Sequence, residues 1–377
     1  MLWRLTLFLN LFFTLFIVAS PGRGGEPKKE RILFASLRGE DVNRDGVVDQ
    51  SDVELYTVDI YGDNLKRITY NSFQEILVSI SPDKKEIAYV GSPPDTVYIL
   101  NIDGTGQQEL LTTNQSMVSK DHYVNVHILS KAIPWSWDST GVFIPFSYPT
   151  PSWYLVKKNH DTIMVGPAEW SNVVKRYEVK IGNENAKRID GVDSPFILVS
   201  PKTDNIISIL GAKKEIYLIS LKDGRRRRLG TDPFLYESGG SWSPDGKKVC
   251  LYRFNKEKGE DDLYLLNLSE TGMPKPRLLQ KGVIRNQISW SPNGNRIVFI
   301  SSRNQRLSIL NLKDKSTVNI AQKVEGCAYP EWLKNGEGII FISREKDKHF
   351  IYRVNSSGEA LKKLLNDSGG ILWARPF

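Results

Sequence analysis

Cysteine is almost missing: Cys250 and Cys327 are the two in 377 residues, too few for a disulfide framework. Both fall in or beside strand-like segments, which reads as buried thiols, with one bridge between them left open for an exported protein. Histidine is as scarce, with His122, His127, His160 and His349 the four present. The pair in "DHYVNVH" is five residues apart, and in a strand an odd spacing turns the two rings to opposite faces, against a shared metal. A G-x-S-x-G nucleophile elbow, and the α/β domain that would carry it, are absent. Net charge is +8, yet Lys and Arg are scattered and no segment interleaves them with aromatics, which excludes a nucleic-acid channel. The densest run, "DGRRRRLG" with Arg225 to Arg228, follows a turn pair inside a strand pattern. It reads as a solvated hairpin edge, with an anionic contact patch as the alternative.

What is there begins with "MLWRLTLFLNLFFTLFIVASPGRGG". One cation, Arg4, an apolar run and then small residues make a secretory signal peptide over residues 1–24. Cleavage is expected near Ala19 or Ser20, although Pro21 blocks it directly after Ser20. No cysteine stands nearby, which excludes a lipoprotein anchor. The run falls short of the roughly 20 residues of a full span, so an uncleaved anchor is the alternative. The expected location is extracytoplasmic, periplasmic or secreted, with membrane contact only through an uncleaved N-terminal segment.

A repeat organises the rest. An apolar strand holding an aromatic, a short polar turn and a basic or apolar tail recur seven times, from "ELYTVDIYGDNLKRIT" at 54–69 to "FIYRVNSSGEALKKLL" at 350–365. Each copy reads as a hairpin. Between them lies a second unit around "SPDG", found six times, as in "SWSPDGKKVCLYRF" and "SWSPNGNRIVFIS". Pro fixes φ at the first corner of a type I turn, Asp or Asn suits the second and Gly closes it. Two hairpins give four strands per period, a unit that buries both faces only when stacked radially with its copies. The missing seventh turn unit places "GGILWARPF" beside "ERILFAS". The expected fold is therefore all-β, a seven-bladed β-propeller over 29–377, its first blade completed by the C-terminal strand. Trp137, Trp242, Trp290, Trp332 and Trp373 are expected to pack between blades.

These units resemble the TolB-type, WD-repeat-like propeller family, whose repeat carries a "W-S-P-D-G-K" turn, then "I-a-Y-x-S", then "l-Y-x-l-d-l-x-x-G". Residues 241–253 and 289–301 are the best copies. The resemblance implies the fold; propellers of this kind serve as docking surfaces, substrate gates and enzymes. The third unit departs from the pattern, since residues 147–174 lengthen its middle connection. Long loops on a rigid scaffold carry binding, so Trp153, Tyr154, His160 and Trp170 are partner-contact candidates, the alternative being a decoration packed on its own blade.

One further segment, "DVNRDGVVDQSD" at 41–52, spaces oxygen donors as a twelve-residue calcium loop does. Asp41, Asn43, Asp45, the Val47 carbonyl, Asp49 and Asp52 fall on the ligand positions, with Gly46 at the sharp turn. It resembles the EF-hand loop, and the dockerin version more closely. Asp52 stands where sensor loops have Glu, and "ELYTVDI" follows as a strand, so no pair of helices exists for calcium to move. The expectation is a structural Ca2+ site inserted between the second and third strands of the first blade, binding at about 10⁻⁴ to 10⁻³ M as extracellular modules do. The chain as a whole reads as a monomeric, non-catalytic binding propeller with an envelope or secreted protein partner and no nucleic acid. The alternative is a hydrolase or lyase acting on carbohydrate or peptide at the channel mouth.

Overall fold

A computed structural model describes residues 30–37, 52–71, 73–92, 96–112, 117–119, 122–123, 134–146, 152–157, 162–166, 180–181, 184–190, 197–210, 215–231, 239–345, 348–365 and 370–376. All regular structure among them is β. The sheets follow from the two alternating hairpins, because consecutive strands that are joined by tight turns pair antiparallel.

The Ser-Pro-Asp-Gly turns show how the local chemistry works. Ser243 N donates to Lys248 O at 2.9 Å, and Gly246 N donates to Ser243 O at 2.9 Å. The Ser243 hydroxyl donates to Asp245 Oδ1 at 2.5 Å and accepts from Lys248 N at 2.9 Å. The same pattern holds at Ser81 with Asp83 and at Ser291 with Asn293. The fourth turn position needs a left-handed backbone, with φ of 70° at Gly246, 69° at Gly294 and 73° at Gly336, a conformation that glycine adopts without steric penalty.

The first sheet has the order Lys66–Arg67, Glu54–Asp59, Arg31–Leu37, Gly370–Pro376. Its last pair is antiparallel, with Leu33 opposite Arg375 and Phe34 opposite Ala374, so strands from far ends of the sequence share one sheet. A second sheet runs in sequence order from Gln74–Ile80 to Gln108–Thr112, a fourth from Ile197–Val199 to Arg226–Thr231, and a last from Cys327–Trp332 to Lys362–Lys363. Between the last two lies a seven-stranded sheet, Gly240–Trp242 to Thr317–Asn319. Its halves share one strand, Arg277–Trp290, which pairs with Glu260–Asn267 through its first part and with Arg296–Ser301 through its second. Val283 pairs on both sides, with Asp261 and with Ser301.

The third sheet departs from the sequence expectation. Ser152–Lys157 and Thr162–Gly166, inside the presumed loop of 147–174, are strands of the sheet, ordered after Gly141–Phe146. Thr162–Gly166 then runs parallel to Glu184–Asp190. Part of the lengthened connection is therefore sheet, a pairing that a rule of antiparallel hairpins does not generate.

Cores lie between sheets. One unites Phe34 and Leu55 of the first sheet, Tyr89 of the second, and Ile340 and Ile351 of the last. Another joins Val298 and Leu307 to Trp332 and Phe341. Trp242 and Trp290 are buried and donate their indole N–H groups across to the neighbouring inner strand, to Leu198 O at 3.2 Å and Ser241 O at 3.3 Å. Trp332 is also buried, with the Arg296 guanidinium 4.6 Å above its ring. Trp137 corrects the expectation: it is 44% exposed in the turn, while Trp135, two residues earlier, is the buried one. In "PWSWDS" Trp135 precedes the turn serine as Trp242 does, and Trp137 takes the place of the turn proline. Trp373 is placed by backbone register alone, opposite Ala35.

The basic tails of the repeat, and Arg296 beside the Ser291 turn, have a structural use. Lys66 Nζ donates to Asp103 O at 2.7 Å, Arg227 Nη2 to Leu268 O at 2.8 Å, Arg296 Nη1 to Ser356 O at 3.2 Å and Lys362 Nζ to Tyr61 O at 2.8 Å. In each case a cation on one sheet caps a carbonyl in the outer turn of the next. The run at 225–228 is tied down similarly, Arg225 to Asp223 at 2.6 Å and Arg228 to Glu215 at 3.0 Å.

Candidate functional site

The Ser-Pro-Asp-Gly turns occupy one end of the inner strands. The opposite end of the inner strands lies away from these turns. Inner strands at this second end are bulged, with register shifts between Ile76 and Ser79, Val283 and Ile288, and Ala328 and Glu331. Asn286 and Tyr329 take left-handed φ of 59° and 51° there. A bulge re-aims the side chains around it. Gln287 Oε1 thereby accepts from Tyr329 N on the neighbouring inner strand. Ser289 Oγ donates to Glu331 Oε2 at 2.8 Å and accepts from Trp332 N at 3.2 Å.

Several charged groups at this end are engaged with their neighbours. Arg285 Nε reaches Asp261 Oδ2 at 3.0 Å, Gly282 N donates to Asp262 Oδ1 at 3.1 Å, and Ser302 Oγ donates to Glu260 Oε2 at 3.2 Å. Glu345 accepts from Lys363 Nζ at 2.8 Å and from the Tyr352 hydroxyl. Those two bonds, Lys363 first, hold its carboxyl below the ordinary glutamate range. The surface so formed mixes amide, hydroxyl, aromatic and paired charged side chains. Among the described residues no three of His, Cys, Asp and Glu converge to hold a metal.

A buried acidic pair lies at the seam of the first and second sheets. Glu54 and Glu75 are 1% and 2% exposed. Arg67 Nη2 and Asn71 N each donate to Glu54 Oε1 at 2.9 Å, and Asn71 Nδ2 donates to Glu75 Oε1 at 2.6 Å. The second oxygen of each carboxyl is buried with no hydrogen-bond partner. Burial, and then the charge of Glu54, raises the Glu75 pKa well above the glutamate range. Burial also raises that of Glu54, against the pull of Thr69 and Arg67.

Of the proposed calcium ligands, Asp41, Asn43, Asp45, Val47 and Asp49 lie outside the described residues, and Asp52 is buried at 2% exposure. Of the partner-contact candidates, Trp153 and Tyr154 lie on Ser152–Lys157, opposite Pro145 and Ile144. His160 and Trp170 lie outside the described residues. The structure thus brings together, at the seam, carboxylates that sequence reasoning missed. They stand 21 positions apart, in different repeat units, and no periodicity links them. Cys250 and Cys327 are free and buried. Burial raises both thiols, Cys327 to about 11, which keeps them protonated and unreactive.

Residues 190–372 match the family model of the TolB beta propeller domain. Similar solved structures include a putative 6-phosphogluconolactonase from Bacteroides uniformis, at 10% identity over 93% of this chain and 99% of that one, with a TM-score of 0.55. The Cps50 (Swd1) beta-propeller domain of Myceliophteria thermophila matches at 13% identity over 80% of this chain and 90% of that one, with a TM-score of 0.50. TolB from Acinetobacter baumannii matches at 16% identity over 77% of this chain, with a TM-score of 0.46, and the chain spans 63% of that protein's length. At these identities the first two likenesses are ones of fold. The family match and the sheets together support a TolB-like β-propeller.

Proposed function

We propose that this chain is an exported, seven-bladed TolB-like propeller that acts as a non-catalytic protein-binding scaffold, closed by its C-terminal strand and carrying a structural calcium site at residues 41–52. The observation that carries the binding role is the end opposite the Ser-Pro-Asp-Gly turns, where several charged groups are held by neighbours and the surface is mixed polar and aromatic. Such a surface suits recognition, whereas acid–base catalysis needs titratable groups aimed at a shared reacting atom. The four inter-sheet cation caps and the pairing of Gly370–Pro376 with Arg31–Leu37 support closure, since Lys362 of the last sheet caps the first.

Calcium is supported by the donor set in the sequence and by the burial of Asp52, the twelfth loop position. Asp41, Asn43, Asp45, the Val47 carbonyl, Asp49 and Asp52 would hold the ion, which would supply the positive charge these carboxylates lack. A periplasmic or secreted location, with an envelope or secreted protein as partner, fits the N-terminal segment. The likeness to a lactonase-named propeller is one of fold and brings no reaction with it.

The test is titration calorimetry of calcium into the mature protein, followed by capture of a partner from envelope extract with and without calcium. Binding near 10⁻⁴ to 10⁻³ M, lost in Asp45→Ala, together with one stoichiometric partner, is the expected result. No calcium heat and an Asp45→Ala variant that behaves as wild type would remove the calcium site; absence of any partner would remove the scaffold role.

A further inference from the structure

Lys84 breaks two rules of its position at once. It is the fourth residue of the turn that begins at Ser81, with φ of 64°, where three equivalent turns have Gly246, Gly294 and Gly336. A lysine normally lays its stem on the protein and keeps its ammonium in water. Here Nζ is buried and has no hydrogen-bond partner, while the residue as a whole is half-buried. A buried donor without an acceptor calls for a missing water or ion.

The fold explains where that ammonium goes. Elsewhere each turn leans on the one before it. Ser139, at the fourth position of its turn, accepts from Asp83 N at 2.9 Å. A Cβ on Gly246 would lie 3.3 Å from Lys202 Cβ, and one on Gly294 or Gly336 would lie 3.9 Å from Pro244 or Pro292. The first sheet has no such turn, because its two innermost strands, Gly370–Pro376 and Arg31–Leu37, come from distant parts of the sequence. Glu30 stands at the gap and accepts from Lys334 N, on the turn of the last sheet, at 2.7 Å. Lys84, on the flanking turn of the second sheet, feels the charges of both Glu30 and Lys334, and Glu30 Oε1 is already engaged by backbone.

We propose that this gap, formed by Lys84, Lys334 and Glu30, is a binding site for a small oxyanion, a sulfate, phosphate or carboxylate group, at the turn-bearing end of the molecule. The two lysines are opposed by Glu30 and, at Lys334, by Glu331, yet neither carboxylate gives the Lys84 ammonium an acceptor, and an oxyanion would supply it. The perturbed titration of the cluster agrees with that chemistry. Burial, and then the charge of Lys334, lowers Lys84 to about 6, with Glu30 acting against them. Burial lowers Lys334 to about 8, with Glu331 and Glu30 opposing, and burial raises Glu30. Since an anion favours the charged lysine, binding takes up a proton and tightens as pH falls from 8 to 6.

Sulfate is the probe of choice, since its charge is constant over that range. Calorimetry and thermal melts of the full chain in sulfate, at constant ionic strength, are compared with Lys84→Gly, Lys84→Met and, as a control, Lys247→Met in an equivalent turn. Glycine suits a φ of 64° and methionine removes a buried charge, so both variants are expected to fold. The expected result is saturable sulfate binding that weakens at least tenfold in both Lys84 variants, persists in Lys247→Met, and is tighter at pH 6 than at pH 8. A sulfate response equal in wild type and the Lys84 variants, or none in wild type, overturns the proposal. Acetate and phosphate, titrated in parallel, then assign the preferred group.

Discussion

Glu75 shows what a single residue contributes that no repeat pattern announces. Its carboxyl is buried against Glu54, with Asn71 between them, Arg67 on the far side and the Tyr89 hydroxyl within 3.3 Å of Asn71. A carboxyl whose folded pKa is raised is bound to its proton more tightly in the fold than in the open chain. Its favourable contribution is complete below the ordinary glutamate pKa and is lost as pH rises toward the elevated folded value. Glu75→Gln keeps the shape and the oxygen that accepts from Asn71 but removes the titration. The variant is expected to be about 1–3 kcal/mol more stable than wild type at pH 7 and nearly equal to it at pH 4, as urea unfolding at the two pH values will show. The residue scale is also where the sequence misled. Two tryptophans two places apart in "PWSWDS" competed for one structural position; Trp135 takes it, paired with Val142 on the strand, because Trp137 already lies in the turn, at the place of the turn proline. The clue was present, since the buried tryptophan always directly precedes the turn serine or its equivalent.

Elements were far more legible. Six "SPDG" units and seven hairpins marked most strand pairs because turn chemistry is local: Pro, Asp and Gly fix a backbone path wherever they occur in that order. The third sheet was illegible because the parallel pairing of Thr162–Gly166 with Glu184–Asp190 is non-local and has no turn to signal it. The basic tails were visible, but their acceptors are backbone carbonyls on the next sheet, and every residue has one. Between elements, tryptophan is the main packing piece. Trp290→Ala is expected to destabilise by about 3–5 kcal/mol through the lost contacts and the indole hydrogen bond. Trp137→Ala should stay within about 0.5 kcal/mol of wild type, because that ring is on the surface. Paired urea titrations distinguish the two.

For the whole molecule, the decisive contact is between Arg31–Leu37 and Gly370–Pro376. Removing residues 370–376 would leave the backbone of Arg31–Leu37 unpaired on one side, a row of donors and acceptors open to another chain. The truncated protein is expected to form higher oligomers in size-exclusion chromatography with light scattering, while the full chain remains monomeric. Of the candidate calcium site, only Asp52 falls among the described residues, so its loop stays a reading of the sequence. The gap at Glu30 was not legible in the sequence, since it exists only where widely separated strands meet.

That meeting sets a clock on assembly. Glu30 and Lys334 are 304 positions apart, and no local hairpin brings them together. Each internal sheet can form soon after its own hairpins emerge, whereas the first must wait for the final strand to arrive. Until then Arg31–Leu37 is an unsaturated edge, and the chain's exposure to mispairing lasts as long as its slowest, most non-local contact takes to form.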